Sequence, residues 1–144
     1  VTLTLTATFI CSRAVSKVMI GQKAGRIINI SSVAGTRGHA VSPAYGAAKA
    51  GINNLTASLA DGWAEHNINV NAIAPGLIAT DVMKSYGILP PETKEDGTPV
   101  PPALLASAPE RIAQLAIFLA SESGDHITGQ TIVMGAKAQL QMPG

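Results

Sequence analysis

Three side chains of the types that assist carbonyl reduction, by orienting the oxygen and protonating it, lie close in the chain: the hydroxyl of Ser32, the phenol of Tyr45 and the ammonium of Lys49. Tyr45 and Lys49 are four residues apart, a spacing that makes neighbours of two side chains on one face of a helix. A nearby ammonium favours the ionised form of a phenol, which turns a poor proton carrier into a useful one. In this reading Tyr45 transfers the proton, Lys49 tunes it, and Ser32 hydrogen-bonds a substrate oxygen as negative charge develops there. The Tyr–Lys spacing alone is a weak signal. With two Tyr and six Lys in 144 residues, chance supplies about 0.08 such pairs.

The elements that must position these groups are legible around them. Ser42 and Pro43 form a helix start, since Ser can cap free N–H groups and Pro is preorganised for the first turn, and the Ala-rich run that follows predicts a helix to about His66. The stretch Gly25–Ser32 (GRIINISS) reads as a buried strand of a parallel sheet with Ser32 at its carboxyl end, where ligands collect in open α/β folds. A second strand, Ile68–Ile73, is stopped by Pro75 and released by Gly76, so the backbone there can offer N–H and C=O groups to an amide. An apolar helix from about Leu3 to Ile20, a helix over Pro109–Ala120 and a short strand over Thr131–Met134 complete the pattern. The order helix, strand, helix, strand, connection, helix, strand predicts an α/β layer with a parallel sheet and right-handed crossovers.

Three stretches carry a resemblance: Gly25–Gly35 (GRIINISSVAG), Tyr45–Gly51 (YGAAKAG) and Ile68–Asp81 (INVNAIAPGLIATD). In order and spacing the chain resembles the short-chain dehydrogenase/reductase family, in particular members of the 3-oxoacyl-acyl-carrier-protein reductase type, over about Val1 to Val133. The resemblance implies a Rossmann-like, doubly wound parallel sheet and an NAD(P)-dependent oxidoreductase, with NAD or NADP as cofactor and a small carbonyl or alcohol as substrate. It makes Tyr45 the general acid/base, Ser32 the carbonyl-orienting group, and Lys49 both a pKa modulator and a binder of the nicotinamide ribose. Pro75 and Gly76 then border the cofactor, Ile78 contacts the nicotinamide carboxamide through its main chain, and Thr80 reaches the amide or a nearby phosphate. It also implies a homodimer or homotetramer formed through the helices before Gly21 and after Ser42.

The chain departs from the family in three respects. Where members carry an Asn that completes a proton relay, this chain has Thr4, read here as an ordinary helix or strand-edge residue. Where members follow the last strand with an Asp-Gly-Gly turn, it reads Met134, Gly135, Ala136, Lys137. The Gly-rich phosphate turn that opens the family's cofactor half occurs nowhere in the sequence. The expectation is therefore a single partial domain over residues 1–144, the catalytic half of a Rossmann-like fold whose nucleotide-binding half is missing. A rival expectation is a noncatalytic half-domain that acts only by docking or oligomerising.

Residues 82–108 are rich in Pro, Gly and charge, which predicts a substrate lid. With 13% charged and 47% hydrophobic residues, the chain has much apolar surface to cover. The helix after Ser42 is poor in charge on every side and is expected to be docked. A net charge of +1 and no Lys/Arg cluster give no case for nucleic acid. Gly, Ser, Lys or Arg interrupts each apolar run, so no membrane span is expected. Cys11 is the sole cysteine, which fits a reducing cytoplasm and reads as a core thiol rather than a nucleophile. His39, His66 and His126 lack metal-ligand spacing, and His39, in a loop on the border of the site, reads either as an exposed loop residue or as a substrate contact, the former favoured.

Overall fold

In a computed structural model, residues 1–135 are described. A π-helical turn over Thr2–Thr6 leads into helix α1 (Ala7–Gln22), then strand β1 (Gly25–Ile30), helix α2 (Pro43–Trp63) and strand β2 (Ile68–Pro75). A short helix α3 (Asp81–Ser85), a longer helix α4 (Pro109–Ala120) and strand β3 (Thr131–Met134) follow. The three strands form one parallel sheet in the order β1-β2-β3, with Ile27 beside Val70 and Ile73 beside Ile132. The expected α/β layer is present, and its sheet is open. The chain beyond Gly135, where the departure from the family's final turn continues, lies outside the described residues.

β2 is central, and every one of its residues is buried. Its Ile68 and Val70 pack with Ala60, Leu59 and Trp63 of α2, Met19 and Ile20 of α1, and Ile27 of β1. Successive strand residues alternate between faces, so Asn69 and Asn71 point the other way. That face is closed by α4 and by the connection that follows it, and the two amides satisfy the connection's backbone. Asn69 Nδ2 donates to the Gly124 and Asp125 carbonyls at 3.3 and 2.9 Å, while Asn71 Nδ2 donates to the Ile127 carbonyl at 2.8 Å and its Oδ1 accepts from Gln130 N–H at 3.1 Å. Buried polar side chains stay in a core on this condition of full pairing.

Three local expectations need correcting. Pro43 occupies the first turn of α2, but the Ser42 side chain caps nothing; the Ser42 N–H instead donates to both the carbonyl and Nδ1 of His39, at 3.3 and 3.2 Å. The 20-residue stretch Leu3–Gln22 contains an 18-residue window of mean hydropathy 1.3 and is long and apolar enough to cross a membrane by length and composition. Arg13 and Lys17 are its only charges, so the interruptions read from the sequence are too sparse to lower its hydropathy. In the fold this helix packs on β1 through its small polar residues, with Ser12 and Ser16 buried, and leaves Phe9, Ile10, Val15 and Val18 exposed. Cys11 is exposed rather than in the core.

Candidate active site

The carboxyl end of β1 and the start of α2 meet at a tight turn. Past Ile30 the chain stays extended to Ser32, then closes a 3₁₀ turn over Val33–Gly35. Ser32 therefore sits just beyond the strand rather than in it, half-buried, and its Oγ accepts the Ala34 N–H at 3.2 Å. A hydroxyl that accepts here keeps its proton free to donate, which is the polarity a substrate carbonyl needs. The turn rests on α2 without a gap. A Cβ on Gly35 would lie 2.5 Å from the Lys49 carbonyl carbon, and one on Gly46 would lie 3.0 Å from the Ala34 carbonyl oxygen.

Tyr45 and Lys49 share the face of α2 expected of them. The Lys49 ammonium lies 5.6 Å from the centre of the Tyr45 ring and donates to the Ile30 carbonyl at 2.9 Å. Its partial burial strips water from the charge and lowers the Lys49 pKa from the ordinary lysine value. Tyr45 is 43% exposed, and among the described residues neither Ser32 nor any other side chain hydrogen-bonds its hydroxyl. The imidazole of His39 packs edge-on to the Tyr45 ring, centroids 6.4 Å apart at 65°. His39 is thus a neighbour of the phenol and a brace for the start of α2, a role its loop position did not reveal.

On the adjoining strand end, Pro75 is the last residue of β2 and buried, and Gly76 donates its N–H to the Met134 carbonyl at 2.9 Å. Gly76 is not among the glycines with positive φ, so this turn does not rely on glycine's freedom. Ile78 pairs in parallel with Ser107, but the bridge uses the Leu77 carbonyl and the Ala79 N–H. The Ile78 N–H has no partner among the described residues and can receive an acceptor. Thr80 Oγ1 accepts the Met83 N–H at 3.3 Å, capping α3, and likewise keeps its hydroxyl proton. Thr4 accepts the Thr8 hydroxyl on its carbonyl at 2.8 Å and so belongs to the helical start.

The segment after α3 has structure of its own. Thr93 and Pro99 pair antiparallel around a turn in which Asp96 accepts from the Thr98 hydroxyl at 2.6 Å and the Thr98 N–H at 2.9 Å. The Thr98 hydroxyl first, then its N–H, hold the Asp96 pKa below the ordinary value. Among the described residues no group of His, Cys, Asp and Glu is arranged to hold a metal.

Residues 1–88 match the family model described as short chain dehydrogenase. The chain belongs to that family. It is 42% identical over 130 residues to a 3-oxoacyl-(acyl-carrier-protein) reductase of Synechocystis, which covers 90% of this chain and 50% of the relative. Its fold is similar to the crystal structure of acetoin dehydrogenase from Enterobacter cloacae, with a TM-score of 0.79 and 32% identity over 99% of this chain and 55% of the other. It is also similar to a 3-oxoacyl-(acyl-carrier protein) reductase with bound NAD from Brucella melitensis, with a TM-score of 0.73 and 31% identity over 96% and 49%. The neighbours have the Rossmann-like fold, of which this chain's three-stranded sheet is one part. The chain spans about half the length of the curated relatives it matches.

Two residues that touch the site went unread in the sequence, Ser31 and Asn53. The signal was present in the Ser31–Ser32 doublet at a strand end and in a polar residue one helical turn after Lys49 on a face that should be apolar.

Proposed function

We propose that this chain carries the catalytic centre of an NAD- or NADP-dependent oxidoreductase that interconverts a carbonyl and an alcohol. The observation that supports it most is the Lys49 ammonium 5.6 Å from the Tyr45 ring, on a helix seated against the turn that holds Ser32. A bound nicotinamide would supply or accept the hydride. Tyr45 donates its phenolic proton to the carbonyl oxygen in reduction and takes it back in oxidation. The Ser32 hydroxyl, its lone pair committed to Ala34, donates to the same oxygen. Lys49 holds positive charge beside the phenol and would hold the ribose of a bound nicotinamide nucleotide. The Ile78 N–H, without a partner among the described residues, and the Thr80 hydroxyl fit a carboxamide and a phosphate, with Pro75 and Gly76 setting the backbone that presents them.

The relatives' names support a 3-oxoacyl thioester or a small hydroxyketone as the substrate class, and residues 82–108, tied to the site through Ser107 and Ile78, act as the lid that chooses between them. We place the protein in the cytoplasm, as a homodimer or homotetramer built on α1 and α2. The test is oxidation of NADH or NADPH by the purified chain with acetoacetyl thioester and with acetoin's diketone. Tyr45→Phe should lower the rate by about 10²-fold or more with melting unchanged; a variant at full rate overturns the assignment. A second reading, a noncatalytic half-domain that docks on another subunit, draws support from the exposed apolar residues of α1, such as Val18 at 61%. It prevails if neither nucleotide is oxidised.

A further inference from the structure

Among the buried small and apolar residues of α2, Gly46, Ala48, Ile52 and Ala60, a few polar ties join the helix to β1 and its turn. Ser31, 3% exposed, donates its N–H to the Ile73 carbonyl at 2.7 Å and its hydroxyl to the Lys49 carbonyl at 3.1 Å, so it ties the central strand to the helix at Lys49 itself. One helical turn on, Asn53 Nδ2 donates to the Gly35 carbonyl at 3.1 Å. Deeper in, the buried Asn29 Nδ2 donates to Thr56 Oγ1 at 3.0 Å. Helix positions 49, 53 and 56 fall on one stripe, and each holds a point on β1 or its turn.

We propose that Ser31 and Asn53 are positioning residues that fix how far α2 slides along β1, and so set Tyr45 and Lys49 against Ser32; the proposal rests on the functional reading above. Hydrogen bonds are directional, and a slide of one residue, about 1.5 Å along the helix axis, breaks both. Branched apolar residues at the same positions would tolerate such a slip. The arrangement is not the one stability alone favours. Asn53 Oδ1 is buried with no partner among the described residues, a desolvation cost that an apolar side chain would avoid. What the cost secures is registry: the two ties bracket the turn that carries Ser32, one through Ser31 before it and one through Gly35 after it.

The experiment is heteronuclear NMR on the labelled 144-residue chain, reading the cross-relaxation peak between the Gly35 α-protons on the turn and the Ala50 amide proton on α2, which approach so closely that a Cβ on Gly35 would lie 2.7 Å from the Ala50 nitrogen. Ser31→Ala and Asn53→Ala are each expected to lose that peak relative to the amide–amide peaks within α2, while α2 itself persists. Unchanged peaks in both variants overturn the proposal. So does loss of the whole fold in both, which would make the ties structural; if only Ser31→Ala unfolds, Asn53→Ala decides. The peak is read without turnover, so a chain that reduces no carbonyl sinks the functional reading while leaving the positioning one to be judged by the peak.

Discussion

Lys49 does three things at once: its ammonium faces Tyr45, bonds the Ile30 carbonyl and sits half out of water. Burial lowers its pKa below the ordinary 10.5, so the folded chain binds this proton less tightly than the unfolded chain does. Stability then rises with pH wherever the unfolded state holds more protons. The desolvation cost is full below the folded pKa and is relieved as pH climbs from there toward 10.5. Urea midpoints of the parent and of Lys49→Met, taken through that alkaline range, should diverge in the parent's favour as pH rises; parallel curves would show that the ammonium is as wet in the folded chain as in the unfolded one. The motif of Ser32, Tyr45 and Lys49 was legible because its spacing is local. His39 was not, because its place beside Tyr45 depends on the hollow at Gly46, where a Cβ would come within 3.3 Å of the His39 Cβ.

At the scale of elements, Gly35 and Gly38 make a matched pair in one loop. An Ala at Gly35 drives its Cβ to 2.5 Å from the Lys49 carbonyl carbon and 2.7 Å from the Ala50 nitrogen, both backbone atoms that cannot swing aside, whereas Gly38 has nothing within 4 Å. Gly35→Ala should therefore lift the turn off α2 and cost about 1–3 kcal/mol, read as a fall in urea midpoint. Gly38→Ala should be neutral or slightly stabilising, since its chief effect is on the unfolded chain. Equal effects at both positions would mean that the turn does not rest on the helix. The order of the strands and the long helices was legible, because β2 and α4 are bounded by Pro and carry clear apolar patterns, but the short α3 lies within the stretch read as a connection. What β2's pattern hid is its second face: Asn69 and Asn71 look like solvent-facing positions, yet they are 8% and 1% exposed. They are buried because the connection from Gly124 to Gln130 folds over them, a long-range closure that no periodicity encodes. The same limit applies to residues 82–108, whose composition shows a connection but whose antiparallel pairing of Thr93 with Pro99 depends on Asp96 and Thr98.

The whole molecule has two surfaces that a three-stranded sheet cannot cover. β1 pairs only with β2 among the described residues, and its other edge, with Ile30 48% exposed, carries unpaired backbone groups of the kind that recruit another strand. Beside it α1 exposes Phe9 at 44%, Ile10 at 50%, Val15 at 41% and Val18 at 61%, a run of large apolar side chains of the kind that marks an association site. The chain in isolation should therefore self-associate, and the two surfaces predict different remedies. If the helix face drives assembly, Phe9→Glu with Val18→Glu should shift the sedimentation profile to monomer, because burying two carboxylates without partners opposes association. If the strand edge drives it, those charges leave the profile unchanged and Ile30→Lys, a charge placed on the exposed edge, disperses it instead. A parent chain that sediments as a monomer at every concentration would contradict both, and would mean that α1 covers its apolar residues in some other way than by docking.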